Sequence, residues 1–175
     1  MAYLTHDEIL LAYPFGPPFR MVVYHNPDWW YEIINHNLIN PVRIKFDENI
    51  RENMTDPIHN GKGIYMFFLE PNHPFPNEVE MRHLLYVGRV QAGQTNFNFF
   101  KRFYKYVKAI GNRSVARNTM RLTNLWPDNT YVYYFDLSDR TDQEIILIEQ
   151  NIFNKIVPPL NEALEGDSRL TRQFY

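Results

Sequence analysis

Two short apolar segments constrain the fold of this chain more than any other feature. Residues 63–69, GIYMFFL, are apolar at odd and even positions alike, and residues 83–88, HLLYVG, repeat this pattern. A strand that is apolar on both faces is covered on both faces, so these segments predict central strands of a sheet. The polar, proline-containing residues 70–82 predict a long hairpin loop between them. Residues 130–137, rich in aromatic and β-branched side chains, predict a third strand.

A helix is predicted from residue 98 to about residue 110. Its apolar residues fall on one side, and three lysines fall on the other, namely Lys101, Lys105 and Lys108. Together with the strands, this helix predicts an α/β (α+β) fold with a small, mainly antiparallel, three-stranded central sheet flanked by helices.

Further helices are predicted at both ends of the chain. Residues 141–157 predict a long helix, with Ser138 or Asp139 available as its N-terminal cap. Thr5, followed by two acidic residues, predicts the start of a short helix reaching residue 13. Residues 26–37 predict another helix, which begins at an Asn-Pro-Asp turn.

Length and composition exclude several classes of protein. The chain has 175 residues, of which 45% are hydrophobic and 22% charged, as in one globular domain. Because it contains no cysteine, disulfide scaffolds, thiolate zinc sites and cysteine nucleophiles are excluded. The sequence shows neither a membrane-spanning apolar run nor a basic, apolar signal peptide, so we expect a soluble cytoplasmic protein.

Charge is strongly segregated along the chain. The net charge is −2, but residues 81–127 contain nine lysines and arginines and no acidic residue, which leaves −11 on the remainder. Such a window indicates either a solvated basic face or a phosphate-binding surface. The residues expected to contact nucleic acid in the second case are Lys101, Lys105, Lys108, Arg113, Arg117 and Arg121.

An acidic residue lies inside the apolar stripe of the last predicted helix. At 100° per residue, Glu149 falls among Ile145, Ile148 and Ile152. Burying an unpaired carboxylate costs several kcal/mol, so Glu149 must be ion-paired, protonated or bound to a cation. Two interpretations stay open, a structural salt bridge with an arginine and a ligand of a divalent metal.

The order of these residues resembles the GIY-YIG nuclease superfamily. Gly63-Ile64-Tyr65 matches the first signature, and Tyr86-Val87-Gly88 matches the second with valine in place of isoleucine. The remaining residues follow in the family's order, and they are Arg89, Arg102, Tyr106, Glu149 and Asn161, the last closing a Pro-x-x-Asn segment. A lone GIY triplet carries little information, whereas this ordered series is specific.

The resemblance covers residues 62–162 and divides the chain. Residues 1–61 would form an N-terminal extension that packs on the core and serves specificity or dimerisation, and residues 163–175 would form a tail. Two connections are longer than is usual in the family, before Tyr86 and before Arg102. Insertions at surface loops cost little, so the core assignment holds. Arg102 is preferred over the later arginines because Tyr106 lies one turn beyond it on the same helix face.

The resemblance implies a metal-dependent endonuclease that hydrolyses phosphodiester bonds. Glu149 would hold one divalent cation, Mg²⁺ with Mn²⁺ as a possible substitute. Tyr65 or Tyr86 would activate the attacking water, and Arg89 and Arg102 would stabilise the phosphate. Tyr106 would add a hydrogen bond, and Asn161 would orient the neighbouring loop or the surroundings of Glu149. All seven predicted catalytic side chains are therefore expected to meet in one pocket.

The organisation is most similar to stand-alone GIY-YIG restriction endonucleases, which implies double-stranded DNA as partner and allows a homodimer. Two alternatives stay open. One is a repair or phage nuclease that reads DNA structure, and the other is a DNA-binding protein of the same fold without catalysis.

Overall fold

The computed structural model describes residues 2–12, 38, 40–54, 61–70, 82–90, 98–156 and 158–161. The helix predicted within residues 26–37, the loop at residues 71–81 and the tail at residues 163–175 lie outside the described residues. In chain order the elements are α1 (His6–Ala12), β1 (Val42–Lys45), β2 (Gly63–Leu69), β3 (His83–Val90), α2 (Phe99–Val107), α3 (Arg117–Asn124), β4 (Thr130–Asp136) and α4 (Asp142–Ile156).

The strands form one antiparallel sheet in the order β1-β4-β2-β3. The three predicted strands are confirmed and lie side by side, but the prediction of a three-stranded sheet was wrong. A fourth strand, β1, pairs with β4 and places Val42 opposite Tyr134. With four residues and one buried side chain, Ile44, an edge strand of this kind shows no clear alternation in the sequence.

Both faces of the sheet are covered, as the apolar pattern of β2 predicts. Tyr65 and Phe67 point to the face that packs against α2. Ile64 and Met66 point to the opposite face and pack against α4. The alternation of β2 therefore assigns one face to each of these two helices.

The two signature glycines are required by close approaches within the sheet. A Cβ atom at Gly63 would lie 2.0 Å from the carbonyl oxygen of Phe135. A Cβ atom at Gly88 would lie 2.4 Å from the hydroxyl oxygen of Tyr65, which stands opposite it in the β2–β3 register. At both positions a side chain would displace the neighbouring atoms.

The N-terminal cap of α1 is the predicted one, whereas the cap of α4 is a different residue from those predicted. The Thr5 N–H donates to Oε2 of Glu8 at 2.8 Å, and the Glu8 N–H donates back to the Thr5 hydroxyl, so α1 begins as predicted. The long helix α4 is not capped by Ser138 or Asp139. Thr141 caps it in the same way through Glu144, because the Thr-x-x-Glu spacing satisfies two backbone N–H groups reciprocally.

Helix α3 was not predicted, since its sequence RNTMRLTN buries two polar residues and few apolar ones. Asn124, 2% exposed, accepts from the N–H groups of Leu4 and Gly111 and donates to the carbonyl of Met120. This one amide ties α3 to the N-terminus and to the turn after α2. Among the described residues, no helix has the length and apolar character to cross a membrane.

Asn124→Ala should lower the free energy of unfolding by about 2 kcal/mol, because the buried N–H of Leu4 and the partly buried N–H of Gly111 lose their acceptor. Chemical denaturation measures this change. Asn112→Ala is the matched control, since exposed Asn112 accepts within its own turn from the N–H of Ser114 and its loss should cost about 0.5 kcal/mol or less. Equal losses for the two variants would contradict the role assigned to Asn124.

Candidate active site

A cavity of about 400 Å³ opens at the β3 edge of the sheet, between α2, α3 and α4. Each helix lines it with residues one turn apart, so one face of each helix borders the cavity. Six of the seven predicted catalytic residues line it, and they are Tyr86, Arg89, Arg102, Tyr106, Glu149 and Asn161. Side chains from four distant chain segments therefore meet at one place.

The seventh predicted residue, Tyr65, lies behind the cavity wall. Its side chain is fully buried, and its ring centroid lies 6.1 Å from those of both Tyr86 and Tyr106. The two signature tyrosines thus share one face of the sheet, but Tyr86 alone of the pair lines the cavity.

A chain of buried hydroxyl groups connects α2 to the sheet. Nε of Arg102 donates to the Tyr65 hydroxyl at 2.6 Å, and that hydroxyl lies 3.0 Å from the Tyr106 hydroxyl. Since Tyr65 accepts from Arg102, its own proton is available to Tyr106. The ring of Tyr106 lies against the ring of Tyr86, with their centroids 6.2 Å apart. The hydrogen-bond chain therefore runs from the Arg102 guanidinium to Tyr106, whose ring packs against Tyr86, the signature tyrosine that borders the cavity.

Burial controls the protonation of the two inner tyrosines. It raises the pKa of Tyr65 well above the ordinary value, and the positive charge of Arg102 offsets only part of this effect. Burial likewise raises the pKa of Tyr106. Both phenols are therefore neutral at physiological pH and act as hydrogen-bond donors.

Glu149 forms an ion pair with Arg89, between Oε2 and Nη1. Arg89 stands opposite Ile64 in the sheet and so faces α4, which carries Glu149. The side chains are 36% and 17% exposed. Of the two interpretations of Glu149, the structure shows a salt bridge, and its partner is itself a residue of the cavity.

The donors in the cavity fit a hard divalent cation only as a sparse site. No group of three or more histidine, aspartate or glutamate side chains that could hold a metal occurs among the described residues. Glu149 is the single carboxylate in the described lining, beside the amides of Asn118 and Gln150. These are all oxygen donors, and Mg²⁺ accepts one or two carboxylates while keeping several waters. The residues present therefore fit Mg²⁺.

Asn161 hydrogen-bonds the edge strand β3 from the segment that follows α4. Its side-chain oxygen accepts from the N–H of Val87 at 2.9 Å, and its amide nitrogen donates to the carbonyl of Val87 at 2.7 Å. The N–H of Leu160 bonds the carbonyl of Leu85 at 3.0 Å. The segment after α4 thus pairs with the open edge of β3 and holds the backbone next to Tyr86.

The predicted nucleic-acid-binding residues are spread over more than one surface. Lys101 and Lys105 are exposed on α2, Lys108 is exposed at its C-terminal cap, and Lys105 also lines the cavity. Arg113 pairs with Glu8 of α1, so part of its charge is neutralised within the protein. On α3, burial and the neighbouring charge of Arg117 lower the pKa of Arg121. Apart from Lys105, none of the six predicted residues belongs to the described lining.

Sequence reasoning missed three polar residues of the cavity, Asn118, Thr119 and Gln150. Gln150 could have been found, because it follows Glu149 on the same helix. Asn118 and Thr119 are carried by α3, which has only eight residues and few apolar side chains, so the sequence did not predict this helix. Both side chains are uncharged, unlike Arg102 and Lys105 of α2 and Arg89 of β3 in the same lining.

No protein-family model, curated protein or solved structure significantly matches this chain.

The buried tyrosines predict a loss of stability at alkaline pH. Above about pH 10 the unfolded chain releases phenolic protons that folded Tyr65 and Tyr106 retain. The stability due to each raised pKa is fully present below pH 10 and is lost as the pH rises toward the pKa of the folded protein. Tyr65→Phe should reduce the slope of unfolding free energy against pH in this window by about 1.4 kcal/mol per pH unit.

Chemical denaturation between pH 9 and pH 12 measures this slope. A residual slope is expected in the variant, because burial also raises the pKa of Tyr133 to about 12. A slope unchanged by Tyr65→Phe would contradict the assignment of a neutral, buried phenol.

Proposed function

We propose that this protein is a metal-dependent DNA endonuclease of the GIY-YIG type, acting as a type II restriction enzyme. The observation that supports this most is the convergence on one cavity of Tyr86, Arg89, Arg102 and Glu149, in the order that the sequence resemblance requires. Hydrolysis of a phosphodiester needs a general base, charge stabilisation at the phosphate and a site for the cation, and these side chains supply all three.

The charge of the cavity favours an anionic substrate. Three cationic side chains border it, Arg89, Arg102 and Lys105, against the single carboxylate of Glu149 in the described lining. Guanidinium groups bind phosphate oxygens in a bidentate manner and stabilise the charge that accumulates on them during attack. A phosphodiester placed between α2 and β3 would meet all three cations.

Tyr86 is the better candidate for the general base. Tyr65 is fully buried and remains protonated, so it reaches neither water nor substrate. Tyr86 borders the cavity together with Arg89 and Arg102, so its hydroxyl can meet both water and a phosphate there. Tyr65 and Tyr106 then position Tyr86 and Arg102 and take no proton from water.

Glu149 would hold the Mg²⁺ ion, for which Mn²⁺ is a possible substitute, with the amides of Asn118 and Gln150 as neighbouring oxygen donors. When bound, a divalent cation polarises phosphate oxygens and lowers the pKa of a coordinated water. The exposed lysines of α2, which continue from the cavity, would follow the phosphate backbone of double-stranded DNA.

Glu149→Gln should abolish cleavage and preserve DNA binding, because the amide keeps the shape of the side chain and loses its charge. We expect a loss of at least about 100-fold in a plasmid cleavage assay with Mg²⁺. Asp139→Asn, which removes an exposed carboxylate just before the same helix, is the control and should cut normally. Discrete fragments from the unmodified protein indicate restriction, preferential cutting of branched DNA indicates a structure-selective nuclease, and binding without cutting contradicts the proposal.

Lys105→Ala combined with Lys108→Ala should weaken DNA binding and flatten its dependence on salt. The slope of log affinity against log salt should decrease by about one unit for each phosphate that the variant no longer neutralises. Fluorescence anisotropy over a salt series measures it. Lys45→Ala is the control, since Lys45 on β1 lies near Asp128, at 3.8 Å, and should leave the slope unchanged. The same slope in the double variant and the unmodified protein would mean that these lysines are only a solvated face.

A further inference from the structure

We propose that Arg89 couples cation binding to substrate binding: in the free protein it pairs with Glu149 and suppresses cation binding, and it releases Glu149 when a substrate phosphate takes its place. This inference rests on the proposed function, since it assigns Glu149 to a cation and Arg89 to a phosphate. The Arg89–Glu149 ion pair would then ensure that the cation binds after the DNA phosphate.

The ion pair occupies the atoms that both ligands need. Nη1 of Arg89 contacts Oε2 of Glu149, and both residues line the cavity. A guanidinium held against this carboxylate repels a divalent cation and occupies one of its two oxygens. A phosphate that approaches Arg89 competes with Glu149 for the same N–H groups.

The apolar surroundings of Glu149 favour replacing Arg89 with a cation over leaving the carboxylate without a positive partner. Its side chain is 17% exposed, and the stripe that carries it includes Ile145, Ile148 and Ile152, all of which are buried. A carboxylate in this position is costly without a positive partner. When Arg89 turns to a phosphate, a cation restores the missing charge.

Arg89 is the cation of this cavity that can change partners. Arg102 has its Nε bonded to the buried Tyr65 hydroxyl at 2.6 Å, so its direction is determined by the core. The Arg89 side chain is 36% exposed and stands on an edge strand, where it can turn toward the cavity opening. The two arginines therefore differ in role. Arg102 has a fixed direction and would bind the phosphate only, whereas Arg89 would bind either the phosphate or the Glu149 carboxylate.

Binding linkage makes the coupling measurable from both sides. If phosphate releases Glu149, DNA raises the affinity for the cation, and the cation raises the affinity for DNA by the same factor.

The first test measures binding of Mn²⁺ alone to the full-length protein without DNA, by electron paramagnetic resonance of free Mn²⁺. Arg89→Met removes the charge and keeps much of the side-chain volume, and it should tighten Mn²⁺ binding by about 20-fold or more. Lys105→Met is the matched control, because it removes a charge from the same cavity and its effect should stay below about fivefold. Adding Glu149→Gln to Arg89→Met should abolish the gain.

The second test needs no variant and so does not depend on the folding of Arg89→Met. Anisotropy of a short labelled duplex should show tighter binding to the unmodified protein with Mn²⁺ than without it, and Glu149→Gln should remove this difference. Mn²⁺ affinities of Arg89→Met and Lys105→Met that agree, or duplex binding unaffected by Mn²⁺, would overturn the inference. Plasmid cleavage by the unmodified protein is scored separately, so that cleavage without coupling refutes only the inference, and coupling without cleavage refutes only the nuclease.

Discussion

The close packing of Tyr65 on Gly88 is the contact on which the rest of the site depends. The phenol occupies the space that a Cβ atom at position 88 would fill, so β2 and β3 can pair in this register only with glycine there. The hydroxyl of the same ring accepts from Arg102 and meets Tyr106, which brings α2 against the sheet. One buried side chain therefore determines a strand register, the position of a helix and the direction of a guanidinium group.

The electrostatics of the cavity follow from this arrangement. Arg102 is anchored from behind by a buried hydroxyl, whereas Arg89 is anchored by its pairing with Glu149. Positive charge exceeds negative charge in the described lining, which favours phosphate. At the same time, Asn161 bonds both backbone groups of Val87, so the strand that carries Tyr86 and Arg89 is held at this point of its open edge. The proposed chemistry therefore depends on an Arg102 side chain held in place by Tyr65 and on an Arg89–Glu149 ion pair that a phosphate can open.

Periodicity explains which elements could be predicted. Strands β2, β3 and β4 and helices α2 and α4 each carry enough apolar residues to show their period, and the predicted segments match the observed elements to within a few residues. Strand β1 and helix α3 are short and bury only part of their length, so tertiary contacts such as those of Asn124 stabilise them. The cap of α4 was misplaced because Ser138 and Asp139 are good capping residues, but Thr141 has a glutamate at the required spacing.

The sequence by itself determined the order of the candidate residues, the shared helix face of Arg102 and Tyr106, and the requirement that Glu149 be ion-paired, protonated or bound to a cation. Only the tertiary structure decided that this partner is Arg89, that Tyr86 borders the cavity while Tyr65 is buried, and that Asn161 bonds to β3. The physical reason is that periodicity reports which face of its own element a side chain occupies. The identity of its neighbours depends on packing between elements that are distant in the chain.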